Sequence, residues 1–73
     1  MQANSKILNV LINGESKTIP QNISILELLK TYKINMDRVV IEINKKILKK
    51  EDFQSTCLAE NDRIEIVTFV GGG

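Results

Sequence analysis

The residues of this chain with the clearest capacity for chemistry are its last three, Gly71, Gly72 and Gly73, which follow the apolar run "IEIVTFV". The α-carboxylate of Gly73 is anionic at neutral pH, so it is a weak nucleophile and an inert electrophile. An adenylate formed from ATP on a partner enzyme would supply a leaving group, and a sulfur or nitrogen nucleophile could then attack the acyl carbon. Because glycine lacks a Cβ, such a thread can enter a channel only as wide as a backbone. We therefore expect residues 71–73 to be a flexible tail that presents a reactive end, the alternative being a frayed tail without function.

The side chains offer little for catalysis. There is no histidine, so the usual proton shuttle near neutral pH is missing. Cys57 is the single cysteine, which excludes an internal disulfide, and we expect a buried or semi-buried thiol in place of a nucleophile. The adjacent Glu51 and Asp52 are expected to be solvated, and Glu42 and Glu65 to lie on outward faces of neighbouring strands. The sequence thus predicts a non-enzyme with no catalytic residue, no metal site and no bound cofactor.

Composition restricts the class of partner. The chain has 73 residues and a net charge of +1, with a pI near 7.8, whereas a nucleic-acid-binding domain usually has a pI above about 9. No stretch approaches the roughly 18 apolar residues needed to cross a bilayer, and "MQANSK" lacks the apolar run of a signal peptide. We therefore expect protein partners, neither nucleic acid nor membrane, and a location in the cytosol or plastid stroma.

The predicted organisation is one small domain, residues 7–70, after an N-terminal extension, 1–6, and before the glycine tail. The basic run "KKILKK", 45–50, is either a solvated hairpin that protects an edge strand or a docking patch for an acidic partner. Both interpretations remain open.

Two strands are predicted at the start of the domain. The run "ILNVLI", 7–12, is β-branched and aliphatic, and Asn13-Gly14 after it is a strong hairpin signal because both residues tolerate positive φ. A second short strand, 16–19, is expected to pair back and to end at Pro20.

A helix follows in "ISILELLKTY". Ser24 is its expected N-cap, Glu27 completes a capping box, and Ile23 and Leu28 occupy the positions of a hydrophobic staple. The apolar face has the spacing i, i+3, i+4, i+7 and consists of Ile25, Leu28, Leu29 and Tyr32.

The second half of the chain reads as strands. A period of two predicts a strand at 39–43, with one side made of Val39, Ile41 and Ile43 and the other of Val40 and Glu42. A short strand around Ile47 and Leu48 follows, then a polar connecting loop with a helical turn, anchored by Phe53 and Leu58. The last strand is expected at 63–70. One helix can cover only one face of the sheet, so the other face must meet water or a partner.

This ββαββ order, with the ending "NDRIEIVTFVGGG" and the run "VVIEIN", resembles the ThiS family of sulfur carriers of thiamine biosynthesis, and the resemblance covers about residues 7–73. It implies an α+β, ubiquitin-like β-grasp fold with a mixed sheet and one helix packed on one face. Asn61-Asp62 stands where the family often has Gly-Asp, and asparagine also tolerates the left-handed conformation.

The resemblance also implies a function. Gly73 would be adenylated by a ThiF-type adenylyltransferase and converted to a thiocarboxylate with sulfur from a cysteine desulfurase relay. Gly71 and Gly72 would thread the partners' channels, and a ThiG-type thiazole synthase would take the sulfur. The alternatives are the small subunit of molybdopterin synthase, a ubiquitin-like modifier joined to lysines, and a plain β-grasp interaction domain.

A docking surface is expected beside the tail. If Ile64 and Ile66 face the helix, the alternate residues of the last strand emerge on the uncovered face. The residues assigned to partner docking are Val67, Phe69 and Val70. We expect Ile7 and Leu11 to join them in one apolar patch. A packing role beneath a loop is the alternative.

Overall fold

The computed structural model describes residues 7–69. These residues form the strands β1 (Ile7–Ile12), β2 (Glu15–Pro20), β3 (Val39–Ile43), β4 (Lys46–Leu48) and β5 (Arg63–Thr68), the helix α1 (Ile25–Thr31), and two 3-10 helices, Met36–Arg38 and Lys50–Asp52. The predictions for residues 1–6 and 70–73, including the flexible tail and the docking role of Val70, lie outside this range. Within it, no helix is long and apolar enough to span a membrane.

The strands form one mixed sheet in the order β2-β1-β5-β3-β4. β5 lies at its centre, parallel to β1 and antiparallel to β3, while β1–β2 and β3–β4 are antiparallel hairpins. The expected β-grasp architecture is therefore confirmed. The central position of β5 means that the strand leading into the carboxyl end is held from both sides.

The first hairpin turns where the sequence predicted. Asn13 has a φ of 52° and Gly14 a φ of 83°, the conformation that a two-residue turn between twisted strands requires. β2 is one residue longer at each end than expected. It can include Pro20 because β2 is an edge strand, where a missing N–H donor is tolerated.

The start of α1 has the predicted capping box. The backbone N–H of Glu27 donates to Ser24 Oγ at 3.1 Å, and the backbone N–H of Ser24 donates to Glu27 Oε1 at 3.1 Å. The end of the helix differs from the prediction, because Tyr32 is the C-cap residue and Lys33 has a φ of 58°. Tyr32 is consequently exposed, and its expected place on the buried helix face was wrong.

One core lies between α1 and the sheet. Its members are Val10, Ile12, Ile19, Ile25, Leu28, Leu29, Val39, Ile41, Phe53, Leu58, Ile64 and Ile66. Phe53 and Leu58 confirm the expected anchors of the connecting loop. Cys57, in contrast, is exposed, which corrects the expected buried thiol. The physical reason is local, since Leu58 occupies the core and its neighbour Cys57 is left on the solvent side of the loop.

The last strand is shorter than expected. β5 ends at Thr68, and Phe69 follows it outside the strand. The backbone N–H of Phe69 still donates to the carbonyl oxygen of Arg38 at 2.8 Å. The chain therefore remains attached to the β3 side of the sheet up to the last described residue.

Candidate functional site

The face of β5 that α1 does not cover carries the predicted docking residues. Ile64 and Ile66 are buried against the core, and Val67 and Phe69 are 54% and 53% exposed. Their alternation confirms the predicted placement, because successive side chains of a strand point to opposite faces. Two large apolar side chains thus lie in solvent at the point where the described chain ends.

A third residue completes this surface. Val40 of β3 pairs directly with Val67 of β5, so the two side chains lie on the same face. Val40 is half-buried. We call Val40, Val67 and Phe69 the apolar patch.

The other expected members of the patch lie elsewhere, which is a correction. In the parallel pairing of β1 with β5, Leu11 is opposite Arg63. Val67 lies four residues after Arg63, roughly 13 Å along β5, and Ile7 lies four residues before Leu11, the same distance in the opposite direction along β1. Ile7 and Val67 are therefore about 26 Å apart along the sheet. Ile7 is exposed at the far end of the face and contributes nothing to the apolar patch.

The side chain of Asn13 holds β5 beyond the point where β1 ends. Its Oδ1 accepts a hydrogen bond from the backbone N–H of Ile66 at 2.7 Å, and its Nδ2 donates to the carbonyl oxygen of Ile66 at 3.1 Å. The amide group therefore acts as one more residue of the neighbouring strand. Sequence reasoning identified Asn13 as a turn residue only, and nothing within its own segment indicates a partner 53 residues away.

A polar network fixes the start of β5. Asn44 Oδ1 accepts from the backbone N–H of Arg63 at 3.0 Å, and Asn44 Nδ2 donates to Asp62 Oδ1 at 3.0 Å. Asp62 Oδ2 accepts from the backbone N–H of Ala59 at 2.8 Å. Asn61 has a φ of 68°, which confirms the left-handed conformation expected there. This network and the Asn13 amide therefore fix β5 at its start and at Ile66, two residues before its end.

Glu60 adds a contact to β1. Its carboxylate accepts hydrogen bonds from the backbone N–H of Asn9 at 2.9 Å and from Asn9 Nδ2 at 3.0 Å. The side-chain hydrogen bond from Asn9, followed by the backbone one, lowers the pKa of Glu60 below its ordinary value. These bonds favour the charged form of the carboxylate.

Two carboxylates flank the apolar patch. Glu42 of β3 pairs directly with Glu65 of β5 on the uncovered face, as the sequence predicted. Among residues 7–69, no three potential metal-ligating side chains come together. On the described part of this face, exposed apolar side chains thus lie beside a pair of carboxylates.

Comparison with known proteins identifies the family. Residues 10–73 match the model of the ThiS family. The chain is 38% identical to the ycf40 protein of Porphyra purpurea over 69 residues, 94% of this chain and 97% of that protein. It is 44% identical to the sulfur carrier protein ThiS of Bacillus subtilis over 50 residues, 68% of this chain and 76% of that protein.

A solved structure agrees with the fold. The crystal structure of the thiamine biosynthesis protein ThiS from Geobacter metallireducens superimposes with a TM-score of 0.77 and 30% identity, covering 90% of this chain and 100% of that one. The chain is also 29% identical over 66 residues to a thiazole synthase of Paramagnetospirillum magneticum; the match covers 90% of this chain and 20% of that protein. The chain therefore belongs to the ThiS family of ubiquitin-like sulfur carriers that serve thiamine biosynthesis.

Proposed function

We propose that the chain carries sulfur as a thiocarboxylate on Gly73 and delivers it for formation of the thiazole ring of thiamine. The observation that carries this proposal is the family match, which extends through Gly73 itself. It is supported by the position of β5, which is held at Arg63 by Asn44 and at Ile66 by Asn13 and leads towards the carboxyl end. The domain is then a rigid holder, and the reactive group is the terminal carboxylate.

The proposed chemistry has two steps, both on partner enzymes. On a ThiF-type adenylyltransferase, a carboxylate oxygen of Gly73 attacks the α-phosphorus of ATP, and pyrophosphate leaves. In the second step, the outer sulfur of a persulfide on a cysteine desulfurase relay attacks the acyl carbon, and AMP leaves. A second thiol of the partner then attacks the S–S bond of the acyl disulfide, so that a disulfide forms on the partner and the Gly73 thiocarboxylate is released. Glycine presents the least hindered acyl carbon of any residue, and Gly71 and Gly72 are the residues proposed to thread the partners' channels.

The apolar patch is the proposed docking surface for these partners, together with Val70. From Phe69, four further residues reach Gly73, a span of at most about 14 Å. The active site of a partner that covers Val67 and Phe69 must therefore lie within about 14 Å of Phe69 to receive the carboxyl end. Exposed apolar side chains grouped in this way are typical of interaction sites.

Thiazole synthase is the proposed acceptor of the sulfur. A segment similar to this chain makes up about a fifth of the thiazole synthase of Paramagnetospirillum magneticum. A carrier-like segment is therefore part of the same polypeptide as the rest of a protein named thiazole synthase. This arrangement supports a functional association between the two units. It also favours the thiamine pathway over the molybdenum-cofactor pathway, which uses the same carrier chemistry.

We further propose that the chain itself is not a catalyst. The described uncovered face carries apolar side chains, the Glu42–Glu65 pair and Arg63. The chain has no histidine to move a proton near neutral pH. Adenylation, sulfur transfer and ring formation are then reactions of the partners, in which the chain is a substrate.

The test is an intact-mass measurement. The full chain is incubated with ATP, the adenylyltransferase of its own organism and a sulfur source, and the C-terminal peptide is fragmented. We expect one oxygen to be replaced by sulfur at Gly73, and no change when ATP is omitted. An unchanged mass with enzymes that are active on their own carrier would contradict the proposal. Conjugates to other proteins that survive reductant would favour the ubiquitin-like modifier instead.

A further inference from the structure

The two glutamates of the uncovered face form a close pair. Glu42 and Glu65 are directly opposite each other in the antiparallel β3–β5 ladder, where Cβ atoms are about 5 Å apart. Glu42 is half-buried and Glu65 is exposed. Like charges at directly opposite positions destabilise a sheet, so this pair opposes folding where an opposite-charge pair would favour it.

Neither carboxylate of the pair takes part in an ion pair within the described part of the chain. The ion pairs among residues 7–69 join Lys17 to Glu15 and Lys50 to Asp37. Arg63 lies two positions before Glu65 on the same strand and face, yet it forms no ion pair with that carboxylate. On the other side of Glu42, its neighbour on β4 is the apolar Ile47. A residue choice that works against local stability in a conformationally well-defined strand indicates a functional constraint.

The pair is continuous with the apolar patch. Val40 and Val67 are paired two residues further along the same two strands, a distance of about 7 Å. A partner that covers the patch must therefore approach both carboxylates. Removing two unpaired carboxylates from water is costly unless a cationic group meets them.

Resting on the proposed function, we propose that thiazole synthase docks on this face and places a basic side chain, best fitted by arginine, across Glu42 and Glu65 while its apolar surface covers the patch. A guanidinium has five N–H donors in a planar fork, so it can bond two neighbouring carboxylates at once. The glutamate pair then selects the partner and its orientation, and the patch supplies the buried area.

The position of the pair also constrains the partner. Glu65 lies eight residues before Gly73, which limits their separation to at most about 29 Å. The basic side chain of the synthase must therefore lie within about that distance of the place where it receives the sulfur. A basic residue further from the synthase active site does not satisfy the proposal.

The test compares binding of neutral variants by calorimetric titration of the full chain into the thiazole synthase of the same organism. Glu42→Gln and Glu65→Gln keep the shape of the side chain and remove its charge. We expect each to weaken binding roughly fivefold to tenfold, with a larger loss in the double variant and a shallower dependence of affinity on salt. Glu51→Gln, which makes the same charge change on the exposed 3-10 helix Lys50–Asp52, is expected to bind like the wild type.

Thermal unfolding separates a binding defect from a folding defect. Because the substitutions relieve repulsion, the Tm of both variants is expected to equal or exceed that of the wild type. Charge reversal, Glu65→Arg, should weaken binding further, and replacement of the matching basic residue of the synthase by glutamate should restore it.

Unchanged affinity of the double variant, an equal loss in Glu51→Gln, or no binding of the wild type to the synthase would overturn the inference. Sulfur loading of the wild-type Gly73 is measured separately. Loading together with unchanged affinity of the double variant overturns only the role of the glutamate pair, whereas failure of loading overturns the proposed function.

Discussion

Asn13 and Ile66 are joined by two hydrogen bonds in which the side-chain amide of Asn13 occupies the place of a neighbouring strand residue. Oδ1 accepts from the N–H of Ile66 at 2.7 Å, and Nδ2 donates to its carbonyl oxygen at 3.1 Å. The same asparagine has a φ of 52° and turns the first hairpin. One residue thus ends β1 and extends the support of the strand that leads into the carboxyl end.

Replacement of Asn13 should therefore destabilise the fold. Asn13→Gly keeps the left-handed backbone accessible but removes both bonds, and we expect the free energy of unfolding to fall by about 1–2 kcal/mol. Asn13→Ala also adds backbone strain at positive φ, so its free energy of unfolding should be lower still. Urea denaturation of both variants measures the difference. Equal stability of wild type and Asn13→Gly would show that solvent replaces the amide without loss.

Polar substitution in the apolar patch should separate docking from folding. Val67→Ser and Phe69→Ser change side chains that are more than half exposed, so we expect stability to change by less than about 1 kcal/mol. The concentration of carrier giving half-maximal ATP–pyrophosphate exchange by the adenylyltransferase should rise roughly tenfold, because buried apolar anchors dominate interface energies. The matched control is Ile7→Ser, which alters an exposed apolar residue at the opposite end of the same face. If the half-maximal concentration rose as much for Ile7→Ser, the effect would come from general surface hydrophobicity and not from the apolar patch.

The capping box of α1 should contribute measurably to stability. Ser24→Ala leaves the backbone N–H of Glu27 without its acceptor, and removal of such a cap lowers the free energy of unfolding by about 0.5–2 kcal/mol. Thr31, the last residue of the helix, donates a side-chain hydrogen bond to the carbonyl oxygen of Glu27. Thr31→Ala removes this bond and serves as a milder comparison. Thermal unfolding of the two variants should show the larger decrease in Tm for Ser24→Ala.

The lowered pKa of Glu60 predicts a pH dependence. A carboxylate with a lower pKa in the folded state stabilises the fold above its unfolded-state pKa, and this contribution is lost as the pH falls through the folded-state pKa. Glu60→Gln should therefore be less stable than the wild type at neutral pH, and the difference should narrow in acid. Urea midpoints measured from neutral pH into the range where Glu60 is protonated check the sign. A difference that widens as the pH falls would contradict the assignment.

Removal of the terminal glycines should abolish sulfur transfer without unfolding the domain. The core of the described residues lies between Val10 and Ile66, and we expect deletion of Gly72 and Gly73 to leave it in place. Sulfur loading, measured by intact mass, should be lost, while the circular dichroism spectrum and Tm stay close to those of the wild type. An unfolded deletion variant would show that these residues have a structural role.

Local signals in the sequence predicted most of the elements. Asn13-Gly14 predicted the hairpin, Ser24 with Glu27 predicted the capping box, and the alternation in β5 predicted that Val67 and Phe69 face away from the core. Each of these features depends on neighbouring residues in one segment, where φ preferences, side-chain capping and strand periodicity act directly. The errors in the same elements are at their ends, as for Tyr32, where capping and tertiary contacts compete.

The relationships between distant segments were decided by the tertiary structure. The parallel register of β1 and β5 separated Ile7 from the apolar patch and joined the amide of Asn13 to Ile66. In the loop before β5, burial of Leu58 in the core left the neighbouring Cys57 exposed. Register depends on how two segments separated by about fifty residues pack against a common core, and no periodicity within either segment contains that information. Sequence alone thus predicted the glycine end as the reactive group and determined most of the elements that precede it, and packing determined which side chains lie beside the end of β5.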